Sequence, residues 1–175
     1  FSLDGRVALV PAGAGPLFSI IRDGELELRA DISEAPLEAE VLVRHVLGLT
    51  PVALLACPDR TVTDDERRTL HALLTRRSAR EPLPYITGTR EFYGLSFGVG
   101  PAVLVPRPET ETLVEEALRW AGERGERDRP LTVADVGTGS GCIAVTLAVH
   151  LPQVVVYGMD ISSRALEVAA LNSQQ

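Results

Sequence analysis

The run Val133-Ala134-Asp135-Val136-Gly137-Thr138-Gly139-Ser140-Gly141-Cys142-Ile143-Ala144 constrains the chain more than any other stretch. An apolar segment ends in an acid, glycines follow at alternate positions, and an apolar helical pattern begins. That order predicts strand, tight turn and helix, the opening of a nucleotide-binding βαβ unit. Glycine is required where the backbone turns sharply and a ligand must approach a surface that any Cβ would obstruct. The helix start adds free N–H groups and the positive end of its dipole. The pattern specifies a nucleotide-like cofactor and leaves its identity open.

The neighbouring segments extend the unit. Leu131 to Val136 reads as the first core strand, and a helix runs from the turn to about His150. Val154 to Met159 is continuously apolar, as expected of a parallel strand buried on both faces. It ends at Asp160, 19 residues after Gly141, and Ser162 begins the next helix. Parallel pairing brings Asp160 beside the glycine turn, where a carboxylate can accept both hydroxyls of a ribose. A helix cap is the competing explanation for Asp160, and the βαβ context favours the ribose role.

Upstream, residues 1–32 read as hairpin strands. Asp4-Gly5 and Asp23-Gly24 suit two-residue turns, and Glu25, Glu27 and Arg29 alternate with Leu26, Leu28 and Ala30. Pro11 to Pro16 reads as a connector. From Ser33 the period becomes helical, with Pro36 in a first turn and Leu37, Val41, Leu42, Val46 and Leu49 as the apolar face, ending near Gly48. Thr50-Pro51 opens a short helix closed by Pro58. Thr63 and Glu66 form a capping box for a third helix to about Arg80, with Leu70, Leu73 and Leu74 buried. Three such helices make a small bundle. His45 and His71 are isolated and receive no metal or catalytic role. Arg76, Arg77 and Arg80 suit a helix C-terminus, and an acidic or RNA partner is the alternative use for them.

Pro82 and Pro84 break the helix. Arg90 to Val99 predicts a hairpin turning near Gly94. Prolines on both sides hold Arg107 extended, and Glu109 and Glu111 open a further helix carrying Leu113, Val114, Ala117, Leu118 and Ala121. Acids in a first turn complement the helix dipole. The domains expected are therefore 1–32, hairpin-like; 33–81, helical; 82–106, linker and hairpin; and 107–175, the first part of a cofactor-binding α/β domain.

Composition excludes several classes. The 175 residues carry a formal net charge of −7, which argues against a broad nucleic-acid-binding surface. Every basic residue is arginine, read as genome composition. The two cysteines, Cys57 and Cys142, form no disulfide framework, so a reducing cytoplasm is expected. No run approaches the roughly 20 apolar residues that cross a bilayer. The chain starts at Phe1 and stops within a helical pattern at Gln175, as expected of a fragment.

Gly139 to Ala144 also satisfies G-x-G-x-x-A, so an NAD(P)- or FAD-dependent oxidoreductase remains open, as does a non-enzymatic protein-binding module. Asp135 weighs against a dinucleotide, because an acid two residues before the first glycine repels a pyrophosphate. The run D-x-G-x-G-x-G resembles the first motif of S-adenosylmethionine-dependent methyltransferases, whose cationic ligand suits an acidic surrounding.

A closer resemblance spans about Pro36 to Gln175. Leu37-Glu38-Ala39-Glu40-Val41-Leu42, His45-Val46-Leu47-Gly48-Leu49, Arg90-Glu91-Phe92-Tyr93-Gly94 and Val105-Pro106-Arg107-Pro108-Glu109-Thr110-Glu111, with the glycine motif and Asp160, resemble the bacterial peptide-chain release factor glutamine methyltransferases, the HemK or PrmC family. The Pro-Arg-Pro-Glu-Thr-Glu loop is the most family-specific. Related ribosomal-protein glutamine methyltransferases usually lack that loop sequence. The resemblance implies a Rossmann-like class I methyltransferase domain, here incomplete, preceded by a helical domain that docks a release factor and by a connecting hairpin. It implies methyl transfer from S-adenosyl-L-methionine to the glutamine amide of the factor's Gly-Gly-Gln loop. By position, Gly137, Thr138, Gly139, Ser140 and Gly141 would hold the methionine end of the cofactor and Asp160 its ribose. The loop around Arg107 and Glu109 would border the pocket. Two departures are expected: hairpin-like residues 1–32 where the family has a helix, and a chain that stops before the family's catalytic Asn-Pro-Pro-Tyr motif. The second leaves no residue here with a catalytic role and predicts that the fragment alone is inactive.

Overall fold

A computed structural model of the chain describes residues 16–28, 32, 34–124 and 130–175. These form two compact units that divide between Thr87 and Gly88.

The first unit is helical: α1 (Pro16–Leu28), α2 (Ala35–Leu47), α3 (Pro51–Ala56), α4 (Asp64–Ser78) and α5 (Leu83–Thr87). Over residues 16–28, helix α1 stands where a hairpin was expected for 1–32. Asp23-Gly24 lies inside it, and Leu17, Ile20, Ile21, Gly24 and Leu28 make its buried stripe, a spacing of three and four that only a helix turns to one side. The alternation after Gly24 is incidental, since Leu26 is exposed and Glu25 buried. Gly24 is where helices meet: a Cβ there would lie 3.4 Å from Leu74 and 3.5 Å from Ala39. The Asp4-Gly5 turn and most of the Pro11–Pro16 connector lie outside the described residues.

Helix α2 carries its proline in the first turn and ends on Gly48 at φ 62°, a left-handed cap suited to glycine. Its buried face is Ala35, Ala39, Leu42 and Val43, so Leu37, expected inside, is exposed. Small residues at 35 and 39 leave room for α1 to pack. Thr50 caps α3 by accepting from Ala53 N–H. The capping box of α4 is present, with Glu66 N–H donating to Thr63 Oγ1 and Thr63 N–H to Glu66 Oε2. Backbone bonding from Thr63, chiefly, holds the Glu66 carboxyl below the ordinary range. Arg60 joins this box to α2, donating to Glu66 at 2.8 Å and to the Leu47 carbonyl at 3.1 Å. The arginines at the end of α4 are engaged within the unit: Arg77 grips Glu38 with two bonds, 2.6 and 3.1 Å, and Arg76 pairs with Glu81. Helix α5 lies where a linker was expected and buries Ile86 in the helical core.

The second unit contains β1 (Thr89–Phe92), β2 (Leu95–Gly98), α6 (Pro108–Glu123), β3 (Leu131–Val136), α7 (Cys142–His150), β4 (Val154–Met159) and α8 (Ser163–Asn172). The hairpin about Gly94 is present: β1 and β2 are antiparallel, and Tyr93 and Gly94 both have positive φ, 52° and 74°, as a type I′ turn requires. It belongs to this unit's core, where Phe92 and Phe97 meet edge to face at 6.1 Å and pack with Val114 and Leu118 of α6 and Leu147 of α7. Strands β3 and β4 are parallel, paired from Leu131↔Val154 to Val136↔Met159. Among the described residues, one face of this pair is covered: Val133, Val154 and Val156 pack on the core, whereas Val136, Val155, Tyr157 and Met159 are exposed, where β4 was expected to be buried on both faces. Helices with this small parallel sheet give the α/β, Rossmann-like arrangement anticipated, as part of a class I methyltransferase fold.

Candidate functional site

The in-register ends of β3 and β4 build the site, for Val136 pairs with Met159 and the following residues emerge side by side. The Met159 carbonyl accepts from both Gly137 N–H at 2.7 Å and Thr138 N–H at 2.9 Å, and Thr138 O accepts from Gly141 N–H at 2.8 Å. Gly137, Gly139 and Gly141 have φ of 80°, 57° and 80°, a region costly to residues with a Cβ.

The glycines differ in purpose. A Cβ on Gly137 would meet nothing within 4 Å, so that side of the turn is open. A Cβ on Gly141 would lie 3.1 Å from the Ala169 Cβ of α8, so Gly141 serves packing as well as conformation. Gly158 of β4, a residue not singled out from the sequence, lets Thr138 in: a Cβ there would lie 3.1 Å from Thr138 Oγ1. Thr138 and Ser140 are buried. Thr138 Oγ1 donates to Asp135 Oδ2 at 2.7 Å, so Asp135 braces the turn it precedes.

Asp160 closes the arrangement. Its Oδ2 accepts from Gly139 N–H at 3.0 Å and its Oδ1 from Ser162 N–H at 2.9 Å. These bonds, Ser162 first and Gly139 next, hold its carboxyl below the usual aspartate range. The carboxylate has acceptor capacity beyond these bonds, and it is ionised and half-buried. Ser162, not Asp160, caps α8, accepting from Ala165 N–H at 3.3 Å. Next to the turn, burial pushes the Cys142 thiol up, which keeps it protonated and poorly nucleophilic.

The N–H groups of Gly137, Thr138, Gly139 and Gly141 all have protein acceptors. A pyrophosphate would find these four groups already engaged.

The Arg107 loop has the extended geometry its prolines impose, φ −106° and ψ 145°, and Pro108 is the first residue of α6. Glu111, rather than Glu109, makes the structural contact: its Oε1 accepts from the strained Tyr93 N–H at 3.0 Å, and the Tyr93 ring stands edge-on to His150 at 5.1 Å. Sequence reasoning missed Asn172. It is buried at the end of α8 and bonds both Gly98 and Ser140. The available signal was a polar amide at a buried position in an otherwise apolar helical pattern.

Comparison with known proteins agrees with this arrangement. Residues 19–88 match the family model of the PrmC N-terminal domain, and residues 124–175 that of the methyltransferase small domain. The first match includes most of α1, so the departure expected for residues 1–32 does not hold from residue 19 onward. The chain is 45% identical over 144 residues to the release factor glutamine methyltransferase of Koribacter versatilis, covering 82% of this chain and 50% of that protein. It is 44% identical over 144 residues to that of Geobacter sulfurreducens, covering 82% and 49%, and 40% identical over 155 residues to that of Escherichia coli, covering 88% and 53%. The chain thus spans about half the length of the curated relatives it matches. Over the residues matched, the chain is similar to release factor glutamine methyltransferases.

Proposed function

We propose that the protein is an S-adenosylmethionine-dependent methyltransferase acting on the glutamine side-chain amide in the Gly-Gly-Gln motif of peptide-chain release factors, in the bacterial cytoplasm. The observation that carries the cofactor reading is the Asp160 carboxylate, ionised and anchored by Gly139 and Ser162 N–H with acceptor capacity to spare. Gly137, Thr138, Gly139, Ser140 and Gly141 hold the methionine end, and Asp160 accepts the ribose hydroxyls. The open space at Gly137 fits a ligand lying against the backbone. Bound S-adenosylmethionine supplies an electrophilic methyl group on its sulfonium.

The chain's own residues bind and orient. Asp135 and Thr138 brace the turn from below, and Asp160 fixes Gly139 from the side. An amide nitrogen is a weak nucleophile, because its lone pair is delocalised into the carbonyl, so the rate gain must come from positioning. The 175 residues contain no Asn-Pro-Pro-Tyr sequence, and no residue of this chain is given the amide-orienting role. The helical unit is the docking surface for the release factor. The dinucleotide alternative is disfavoured by Asp135 and by the engaged N–H groups of the turn.

Binding experiments with the chain test the proposal. Immobilised release factor is expected to retain it, and S-adenosylhomocysteine to bind it saturably. Failure of the release factor to retain the chain, together with tighter binding of NADH than of S-adenosylhomocysteine, would contradict the proposal.

A further inference from the structure

Asn172 is 4% exposed and spends its amide on two segments distant in sequence. Its Oδ1 accepts from Gly98 N–H at 2.7 Å, and its Nδ2 donates to Gly98 O at 3.0 Å. One side chain therefore pairs with both backbone groups of the last residue of β2, as a neighbouring strand would. The second Nδ2 proton goes to Ser140 O at 2.8 Å, in the middle of the glycine turn. Both N–H groups and the carbonyl of the amide are used, so the side chain has one orientation that satisfies all three partners. The approach is close enough that a Cβ on Gly98 would sit 3.1 Å from Asn172 Oδ1. On the same helix, Ala169 lies against Gly141. The end of α8 thus supports the turn at Ser140 and Gly141 while gripping the hairpin.

We infer that Asn172 is a positioning residue that couples the β1–β2 hairpin to the cofactor turn, so that a displacement of β2 is felt at Ser140. Its amide is spent on the backbone of Gly98 and Ser140, so it acts through the turn. Its consequence for cofactor binding rests on the reading given under Proposed function, whereas the mechanical coupling does not.

The test uses two substitutions in the full chain, read by residue-resolved amide hydrogen exchange and by S-adenosylhomocysteine titration. Asn172→Ala removes all three bonds. Gly98→Ala acts from the hairpin, and Gly98 has no positive φ to strain the new side chain. Both are expected to accelerate exchange at Gly139, Ser140 and Gly141 by at least about tenfold, with α6 amides within about twofold of the unsubstituted chain. Both are also expected to weaken S-adenosylhomocysteine by at least about tenfold. Acceleration confined to the hairpin in Gly98→Ala would overturn the coupling, as would uniform acceleration through α6, the mark of a general loss of stability. Should the exchange response appear while the unsubstituted chain fails to bind S-adenosylhomocysteine, the coupling stands and the cofactor reading fails.

Discussion

At the scale of the residue, the glycines of the turn are not interchangeable. Gly141→Ala combines positive φ with a Cβ 3.1 Å from Ala169, whereas Gly137→Ala meets only the backbone penalty, about 1–2 kcal/mol. Chemical denaturation should therefore show Gly141→Ala as the more destabilising of the two. Gly137→Ala should instead lose ligand affinity while remaining folded, because its Cβ enters the open side of the turn. A pH prediction attaches to Asp160. Its folded pKa is depressed by N–H donors, so its contribution to stability is present above the unfolded value and is lost as pH falls through the folded one. Following the Gly139 amide resonance from neutral pH downward should give a midpoint below the ordinary aspartate value of about 3.9; a midpoint above it would remove the carboxylate from the turn. The glycine spacing and Asp160 were legible in the sequence because backbone conformation and chain order dictate them. Asn172 was not, because its partners are Gly98 and Ser140, remote in sequence and contributing only backbone atoms.

At the scale of the element, caps were legible and faces less so. Thr63, Glu66, Thr50 and Gly48 act through neighbours within a few residues, so local spacing reveals them. Thr63→Ala should cost about 1 kcal/mol, read as a lower unfolding midpoint of the helical unit. Helix α1 shows the opposite case. Asp23-Gly24 and six alternating residues suggest a hairpin, but the stripe from Leu17 to Leu28 decides for a helix, because it can be buried against α2 and α4. Tertiary packing outweighs the local turn preference. The position of Gly24 against Ala39 and Leu74 follows from that packing. The Arg77–Glu38 pair was hidden for the same reason, being 39 residues apart in sequence. Both side chains are largely buried, so Glu38→Ala leaves the guanidinium with only the Glu81 carbonyl and should destabilise the helical unit by about 1–3 kcal/mol.

At the scale of the whole molecule, the two units have separate cores. Leu42 and Leu74 lie in the helical one, and Phe92, Phe97 and Val114 in the other. Leu42→Ala should cost about 2–5 kcal/mol of the helical unit's stability, while exchange protection in β3 and α6 stays near that of the unsubstituted chain. The hairpin was expected to connect domains, and its phenylalanines instead make it part of the α/β core. Aromatic residues in a short hairpin bury wherever apolar neighbours lie, which segment order alone does not disclose. The central claim is that the turn and Asp160 form an S-adenosylmethionine site, and calorimetric titration of the chain and of Asp160→Asn with S-adenosylhomocysteine and NADH tests it most directly. Saturable S-adenosylhomocysteine binding is expected, weakened at least about tenfold by Asp160→Asn, with NADH weaker throughout. Equal affinity in the two proteins, or a preference for NADH, would contradict it.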